Sequence, residues 1–302
     1  MKKIEQSTAC GKLQKSFLPS NVFIFLSDDN PKKIINCDSP ELYRNVFMNQ
    51  YELFEQLHHQ ASPLLIGNVW DVVGAKTFEA KGFRAIATSS AALARTLGYE
   101  DGERIPFELL LKMVERIASN VHIPLSVDME GGYSRSTSQI IENIQKVHDV
   151  GAVGINIEDS VAGEKKHMLT EDDFKRILSS IRETLERKNL RMFINARTDA
   201  YVVKLPDPLG ETLKRAASYE EAGASGIFVP FLFSKDEIKK VVASTKLPLN
   251  VFATPQLAGF DELSKLGVKR ISMGTSVHRA VIRSMENMIQ TILEQQSFQS
   301  LY

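Results

Sequence analysis

Three features of this chain predict an α/β fold of the (β/α)8 TIM barrel type. Short apolar runs rich in Val and Ile recur eight times, longer segments with helical spacing separate them, and the runs barely alternate in polarity. Strands that do not alternate belong to a parallel sheet covered by helices, and eight repeats that close on themselves make a barrel. A chain of 302 residues can hold such a barrel as one domain. A doubly wound open sheet would also alternate strand and helix. It normally carries a Gly-rich phosphate turn after its first strand, and here that turn reads NVWDVVGAK.

In chain order, residues 1–45 show no sustained period and contain turn signals such as SDDNPKK. They are expected to form an N-terminal arm outside the core, in part disordered, with the barrel and a C-terminal helical extension over residues 46–302. The strand candidates are LLIGNVW (64–70), AIATSS (85–90), PLSVDME (124–130) and GINIEDS (154–160), then FINART (193–198), GIFVPFL (226–232), PLNVFAT (248–254) and RISMG (270–274). Between the second and third, ELLLKMVERIA gathers Leu109, Leu110, Met113, Val114 and Ile117 on one helical face. After the fourth, TEDDFKRILSSIRETLER does the same with Phe174, Ile177, Leu178, Ile181 and Leu185, and Thr170 is its N-cap with Asp173 three residues on. Several helices should end in glycine just before a strand, as in DVGAVG and EEAGASG.

Lys+Arg and Asp+Glu both number 37, so the formal net charge is zero, which argues against nucleic acid and anionic membrane as partners. No apolar run reaches the roughly 18 residues of a membrane span. The start, MKKIEQSTAC, has polar residues where a signal peptide is apolar, so the expected location is cytoplasmic. The only cysteines, Cys10 and Cys37, exclude a disulfide framework.

Barrel chemistry sits at the C-terminal ends of strands. Those ends carry Asn68 and Asp71, Ser89 and Ser90, Asp128 and Glu130, Glu158 and Asp159, Arg197 and Asp199, Asn250 and Thr254, and Ser272 and Thr275. Taken singly, Asp71, Asp159 and the serines suit helix caps or turns. Asp128, Glu130 and Glu158 come from neighbouring strands and should converge, where like charges repel unless protonated or bridged by a cation. Strand alternation would set Asp128 and Glu130 side by side with Met129 opposite. Oxygen donors without cysteine or ligand-spaced histidine favour Mg2+ or Mn2+. Arg197 could pair with Glu158 or grip a substrate carboxylate or phosphonate. A metal with an arginine suits a small dianionic oxo- or hydroxy-acid and stabilises an enolate.

The stretches ATSSAALARTLGYEDGE, PLSVDMEGGYS, GAVGINIEDS, INARTDAY and YEEAGASGIFVP, in this order, resemble the phosphoenolpyruvate mutase/isocitrate lyase superfamily over about residues 55 to 290. The resemblance implies a barrel in a homotetramer whose subunits exchange the last helix, here VIRSMENMIQTIL. It implies that Asp128 is the principal Mg2+ ligand, that Glu130 replaces the second Asp of the usual D-x-D, and that Glu158 and Asp101 help hold the hydrated metal. By the same resemblance Ser89, Ser90, Arg197 and Asn250 bind the substrate. The lyase branch carries K-K-C-G-H after its fourth strand. In EDSVAGEKKHMLTEDDF the Cys-Gly is missing, which leaves Lys165 or His167 either as proton donor or as part of a solvated charged loop. The mutase branch has a histidine after its sixth strand, where this chain has Pro230. The implied activity is a metal-dependent C–C lyase acting on a 2-oxo or 2-hydroxy carboxylate. The alternatives are a phosphonate-processing mutase or hydrolase and a non-catalytic oxo-acid-binding protein.

Overall fold

The structure is a computed structural model that describes residues 49–163 and 165–302 and, as strand backbone alone, residues 5–7, 12–14, 22–27 and 30–36. The chain divides into two compact units, Met1–Asn49 and Gln50–Tyr302. In the first, Glu5–Ser7 pairs antiparallel with Lys12–Gln14, and Val22–Ser27 with Asn30–Asn36. The rest of the expected N-terminal arm, with Cys10 and Cys37, lies outside the described residues.

The second unit is a closed barrel of eight parallel strands. They are β1 (Leu64–Val69), β2 (Ile86–Thr88), β3 (Leu125–Asp128), β4 (Gly154–Glu158), β5 (Phe193–Arg197), β6 (Gly226–Val229), β7 (Leu249–Phe252) and β8 (Arg270–Ser272). Pairing of Arg270 with Leu64 and of Ser272 with Ile66 closes the ring between β8 and β1. Every predicted strand is present, and each stops short of its predicted C-terminal end. The chain leaves the sheet there to form the mouth; Glu130 and Phe231, inside the predicted third and sixth strands, have φ of 49° and 62°.

The helices are α1 (Gln50–His58), α2 (Val72–Ala80), α3 (Ser90–Leu97), α4 (Phe107–Ala118) and α5 (Thr137–Asp149), then α6 (Glu171–Arg187), α7 (Pro208–Glu221), α8 (Lys235–Ser244), α9 (Phe260–Lys265) and α10 (Ser276–Gln295). The predicted apolar faces are the ones that pack: α4 buries Leu110, Val114 and Ile117, and α6 buries Phe174, Leu178, Ile181 and Leu185. Thr170 caps α6 by accepting a hydrogen bond from the Asp173 N–H at 3.1 Å. Gly151 and Gly223, at φ 103° and 84°, end α5 and α7 as expected. No helix among the described residues is long and apolar enough to cross a membrane.

Inside the barrel, α1 closes the N-terminal end with Phe54 and Leu57, which pack on Leu64, Ile66, Ala87 and Phe193. His58 joins them: its ring stacks on Phe193 at 4.1 Å and its Nδ1 donates to the Phe54 carbonyl at 2.7 Å. Burial, then the nearby Arg270 charge, push the His58 pKa down to about 3. Above this floor lies a polar layer. Arg270 is fully buried, donates to Asn156 Oδ1 at 3.3 Å and has its guanidinium 5.8 Å from the Phe54 ring. Burial lowers its pKa to about 9, against the opposing pull of Asp128.

Candidate active site

The C-terminal mouth holds a cavity of about 150 Å³. Its lining combines the polar Ser89, Ser90, Asp101, Asp128, Asn156 and Arg197 with Phe228, Pro230, Phe231 and Phe252. Each group arrives by a strand end. Ser89 follows β2 and caps α3, accepting from the Ala92 N–H at 3.4 Å, so the start of α3 faces the cavity. The Ser90 hydroxyl donates to Asp128 Oδ2 at 2.9 Å, and the Asp128 N–H donates to Thr88 Oγ1 at 2.9 Å. Asp128 Oδ1 is buried without a hydrogen-bond partner.

Glu130 does not continue the strand beside Asp128 as alternation predicts, because β3 ends at Asp128 and Glu130 adopts a left-handed backbone. Its carboxylate is tied instead to the Glu103 N–H at 2.9 Å and the Tyr133 hydroxyl at 3.3 Å, which joins the β3 turn to the loop that carries Asp101. Gly132 makes this turn possible: its φ is 95°, and a Cβ there would lie 2.7 Å from the Ile140 side chain. Burial, and then the charges of Asp128, Asp101 and Glu158, push the Glu130 pKa up to about 8.

Glu158 is also drawn aside, into a compact charge cluster. Arg197 bonds Glu158 at 3.0 Å and Asp199 at 2.6 Å, and Lys166 bridges the same two carboxylates at 2.6 Å to each. The Ser160 hydroxyl reaches both as well, at 3.0 and 2.6 Å. Although burial disfavours its charge, Arg197 and Lys166 hold the Asp199 carboxyl below the usual range. Burial and Arg197 work to lower the Lys166 pKa, but Glu158 and Asp199 outweigh them and raise it. Arg197 therefore pairs with Glu158 and also lines the cavity.

Three residues expected at the site lie outside the cavity lining, two on the loop after β4 and one on β7. Lys165 and His167 are exposed, and Lys166 between them turns inward. The reason is a short antiparallel pairing of Ser160–Val161 with His167–Met168, in which successive side chains alternate across the loop. Asn250, expected at the substrate, is fully buried in the barrel interior with both amide atoms unpartnered, one layer below the cavity. Phe252, two residues further along β7, takes the place at the mouth.

Sequence reasoning placed Asp199 at a strand end without a role, gave Lys166 none, and found Asp159, taken singly, suited to a cap or turn. Asp159 is instead fully buried, accepting from Tyr219 at 2.6 Å and Arg215 at 3.0 Å, and it receives the Asp199 N–H at 2.9 Å. Arg215 also bonds the Leu169 carbonyl at 2.9 Å, so α7 anchors both ends of the Lys166 loop. Asp71 is the plain cap of α2, bonded to the Gly74 N–H at 2.6 Å. Among the described residues no group of three or more His, Cys, Asp or Glu is arranged to ligate one ion directly.

A parallel barrel with an acid-lined cavity at its C-terminal mouth defines a class of barrel protein built around a small-molecule site. Residues 54–293 match the model of the phosphoenolpyruvate phosphomutase family, and the chain belongs to it, within the superfamily that also holds isocitrate lyase. An uncharacterized protein of Mycobacterium tuberculosis is 32% identical over 228 residues, which are 75% of this chain and 83% of that protein. The 2-methylisocitrate lyase of Aeropyrum pernix is 24% identical over 269 residues, 84% of this chain and 83% of the lyase. Among solved structures, a provisionally named phosphonomutase from Burkholderia cenocepacia superposes with TM-score 0.76 at 33% identity, covering 80% of this chain and 99% of that one.

Proposed function

We propose that the chain is a Mg2+- or Mn2+-dependent lyase that cleaves a C–C bond in a small 2-oxo or 2-hydroxy carboxylate. The observation that carries this is Asp128 Oδ1, a buried carboxylate oxygen without a partner, at a cavity that Arg197 also lines. A buried anionic oxygen left unpaired is costly, and a hard cation is the ligand that best satisfies it. Asp128 would hold that cation directly. Asp101, Glu130 and Glu158 would surround it through water, since the last two already spend their oxygens on protein donors. When bound, the cation supplies Lewis-acid polarisation of the substrate carbonyl. The backbone N–H groups at the start of α3, with the Ser89 hydroxyl, would receive the substrate carboxylate, and Arg197 would orient it, while the Ser90 hydroxyl holds Asp128 in place. Lys166, rather than Lys165 or His167, carries the exchangeable proton on its Nζ, held by Glu158 and Asp199.

Two further readings are kept for the test. The phosphonomutase name borne by the Burkholderia relative favours P–C bond chemistry, and the missing Cys-Gly of the lyase loop favours an oxo-acid-binding protein without turnover. The proposal includes a homotetramer with exchanged α10 and residues 1–45 as a separate arm. The test is turnover with Mg2+ of oxaloacetate, 2-methylisocitrate, dialkylmalates and phosphonopyruvate. Carboxylate cleavage that disappears in Asp128→Ala supports the lyase. Turnover of phosphonopyruvate alone transfers the assignment to phosphonate chemistry, and tight oxalate binding without any turnover makes the protein a binder.

A further inference from the structure

Glu130 stands beside the acids of the mouth in sequence, but its carboxylate does not line the cavity. It is only 7% exposed, and the acid that does reach the lining from this side is Asp101 on the neighbouring loop. Both oxygens of Glu130 are committed to protein donors. Oε2 accepts the Glu103 N–H at 2.9 Å, and Oε1 accepts the Tyr133 hydroxyl at 3.3 Å. Glu103 returns the link: its Oε1 accepts the Tyr133 N–H at 2.7 Å, and its Oε2 pairs with Arg135 at 2.7 Å. Two carboxylates thus cross between the same two loops, one from each side. Asp101 precedes Glu103 with only Gly102 between them.

The backbone on both loops is bent to make this joint. Glu103, Glu130 and Tyr133 have φ of 60°, 49° and 57°, and Gly102 and Gly132 lie at 96° and 95°. Left-handed backbone at residues other than glycine is strained and persists only where the surrounding contacts over-determine it. Here the crossed hydrogen bonds do so. The space is filled as well, since a Cβ on Gly131 would lie 3.2 Å from Glu103 Oε1 and 3.4 Å from the Ser160 carbonyl oxygen. A Cβ on Gly102 would lie 3.1 Å from that of Ala162, so the loop that carries Lys166 packs against the same joint.

We infer that Glu130 is a positioning residue: it clamps the loop that brings Asp101 to the cavity, and it acts by the reach of its side chain, not by its charge. This rests on the proposed site, in which Asp128 holds a cation and Asp101 stands beside it. Two conservative substitutions set reach against charge. Glu130→Asp keeps the charge and suits the left-handed backbone, in which Asp is enriched, but its arm is one methylene too short for the Glu103 N–H. Glu130→Gln drops the charge and keeps the arm; its amide oxygen accepts the Glu103 N–H, and its amide N–H donates to the Tyr133 hydroxyl. Amide hydrogen exchange on the full chain without metal should be as slow at Glu103 in Glu130→Gln as in the parent, and about tenfold faster in Glu130→Asp. Calorimetric titration with Mn2+ should give about tenfold weaker binding for Glu130→Asp than for the parent, and at least about threefold tighter binding for Glu130→Gln than for Glu130→Asp. Unchanged exchange at Glu103 in Glu130→Asp, or Mn2+ binding no tighter in Glu130→Gln than in Glu130→Asp, overturns the clamp. If the parent binds no Mn2+, the metal site falls, and exchange at Glu103 decides the clamp by itself.

Discussion

At the scale of single residues, the site is governed by charge balance between strands β4 and β5. Glu158 and Asp199 are buried, Arg197 nearly so, and Lys166 is about a third exposed at 31%. Removing Lys166 leaves one carboxylate in excess. Loss of one partner of a fully buried pair costs about 3–5 kcal/mol, so the partial exposure of Lys166 puts Lys166→Met at roughly 1–3 kcal/mol. Adding Glu158→Gln restores neutrality, and the double variant should recover most of the lost melting temperature; a double variant less stable than the single one would refute charge balance as the cause. The individual strand-end acids were legible because barrel chemistry must lie there. Their roles were less so. Lys166 was hidden because a loop of Lys165, Lys166 and His167 gives no hint of which side chain turns inward until the Val161–His167 pairing fixes the alternation. Glu130 was misjudged in direction because its positive φ arises at a residue type that gives no signal of it.

At the scale of elements, eight strands and the two amphipathic helices could be read almost residue by residue, since burial of an apolar strand or a helix stripe leaves a periodic trace. What left no trace is the role of α1 as the floor of the barrel, because its apolar residues Phe54 and Leu57 look like any helix face. Its last residue makes that floor sensitive to acid. His58 is held neutral, and the charged groups nearest to it are Arg270 on β8 and, next in the chain, His59. The folded pKa, about 3, lies below the unfolded value of 6.5, so the unfolded chain binds the extra proton first. Stability from this group is therefore complete above pH 6.5 and is lost as pH falls through the window toward 3. At pH 5 the loss spans 1.5 pKa units below the unfolded value of 6.5, about 2 kcal/mol at roughly 1.4 kcal/mol per unit. Denaturant unfolding from pH 7 to 4 should show a shallower decline in His58→Phe than in the parent protein. Parallel declines would mean that His58 is not the group that titrates.

At the scale of the whole molecule, the last helix is the element that a single chain does not explain. Along α10 only His278 is buried, while Val281, Met285, Met288, Ile289 and Leu293 remain between 43% and 67% exposed. Their spacing at i, i+4, i+7, i+8 and i+12 sets them in one stripe, the pattern of a helix that packs against another surface. The sequence could supply the helical spacing but not its destination, since periodicity does not distinguish a face buried in its own fold from one buried in a neighbour. The proposed homotetramer would give it a destination, a second copy of the chain. A formal net charge of zero removes any overall electrostatic barrier to such self-association. Sedimentation of the full chain at micromolar concentration is expected to give a tetramer. Charges placed in the middle of the stripe, Met285→Glu with Ile289→Glu, should shift it to smaller species. The barrel itself should keep its folded circular dichroism, because neither side chain belongs to the buried core. A parent protein that sediments as a monomer would leave the stripe without its partner, and a double variant that remains tetrameric would assign assembly to another face.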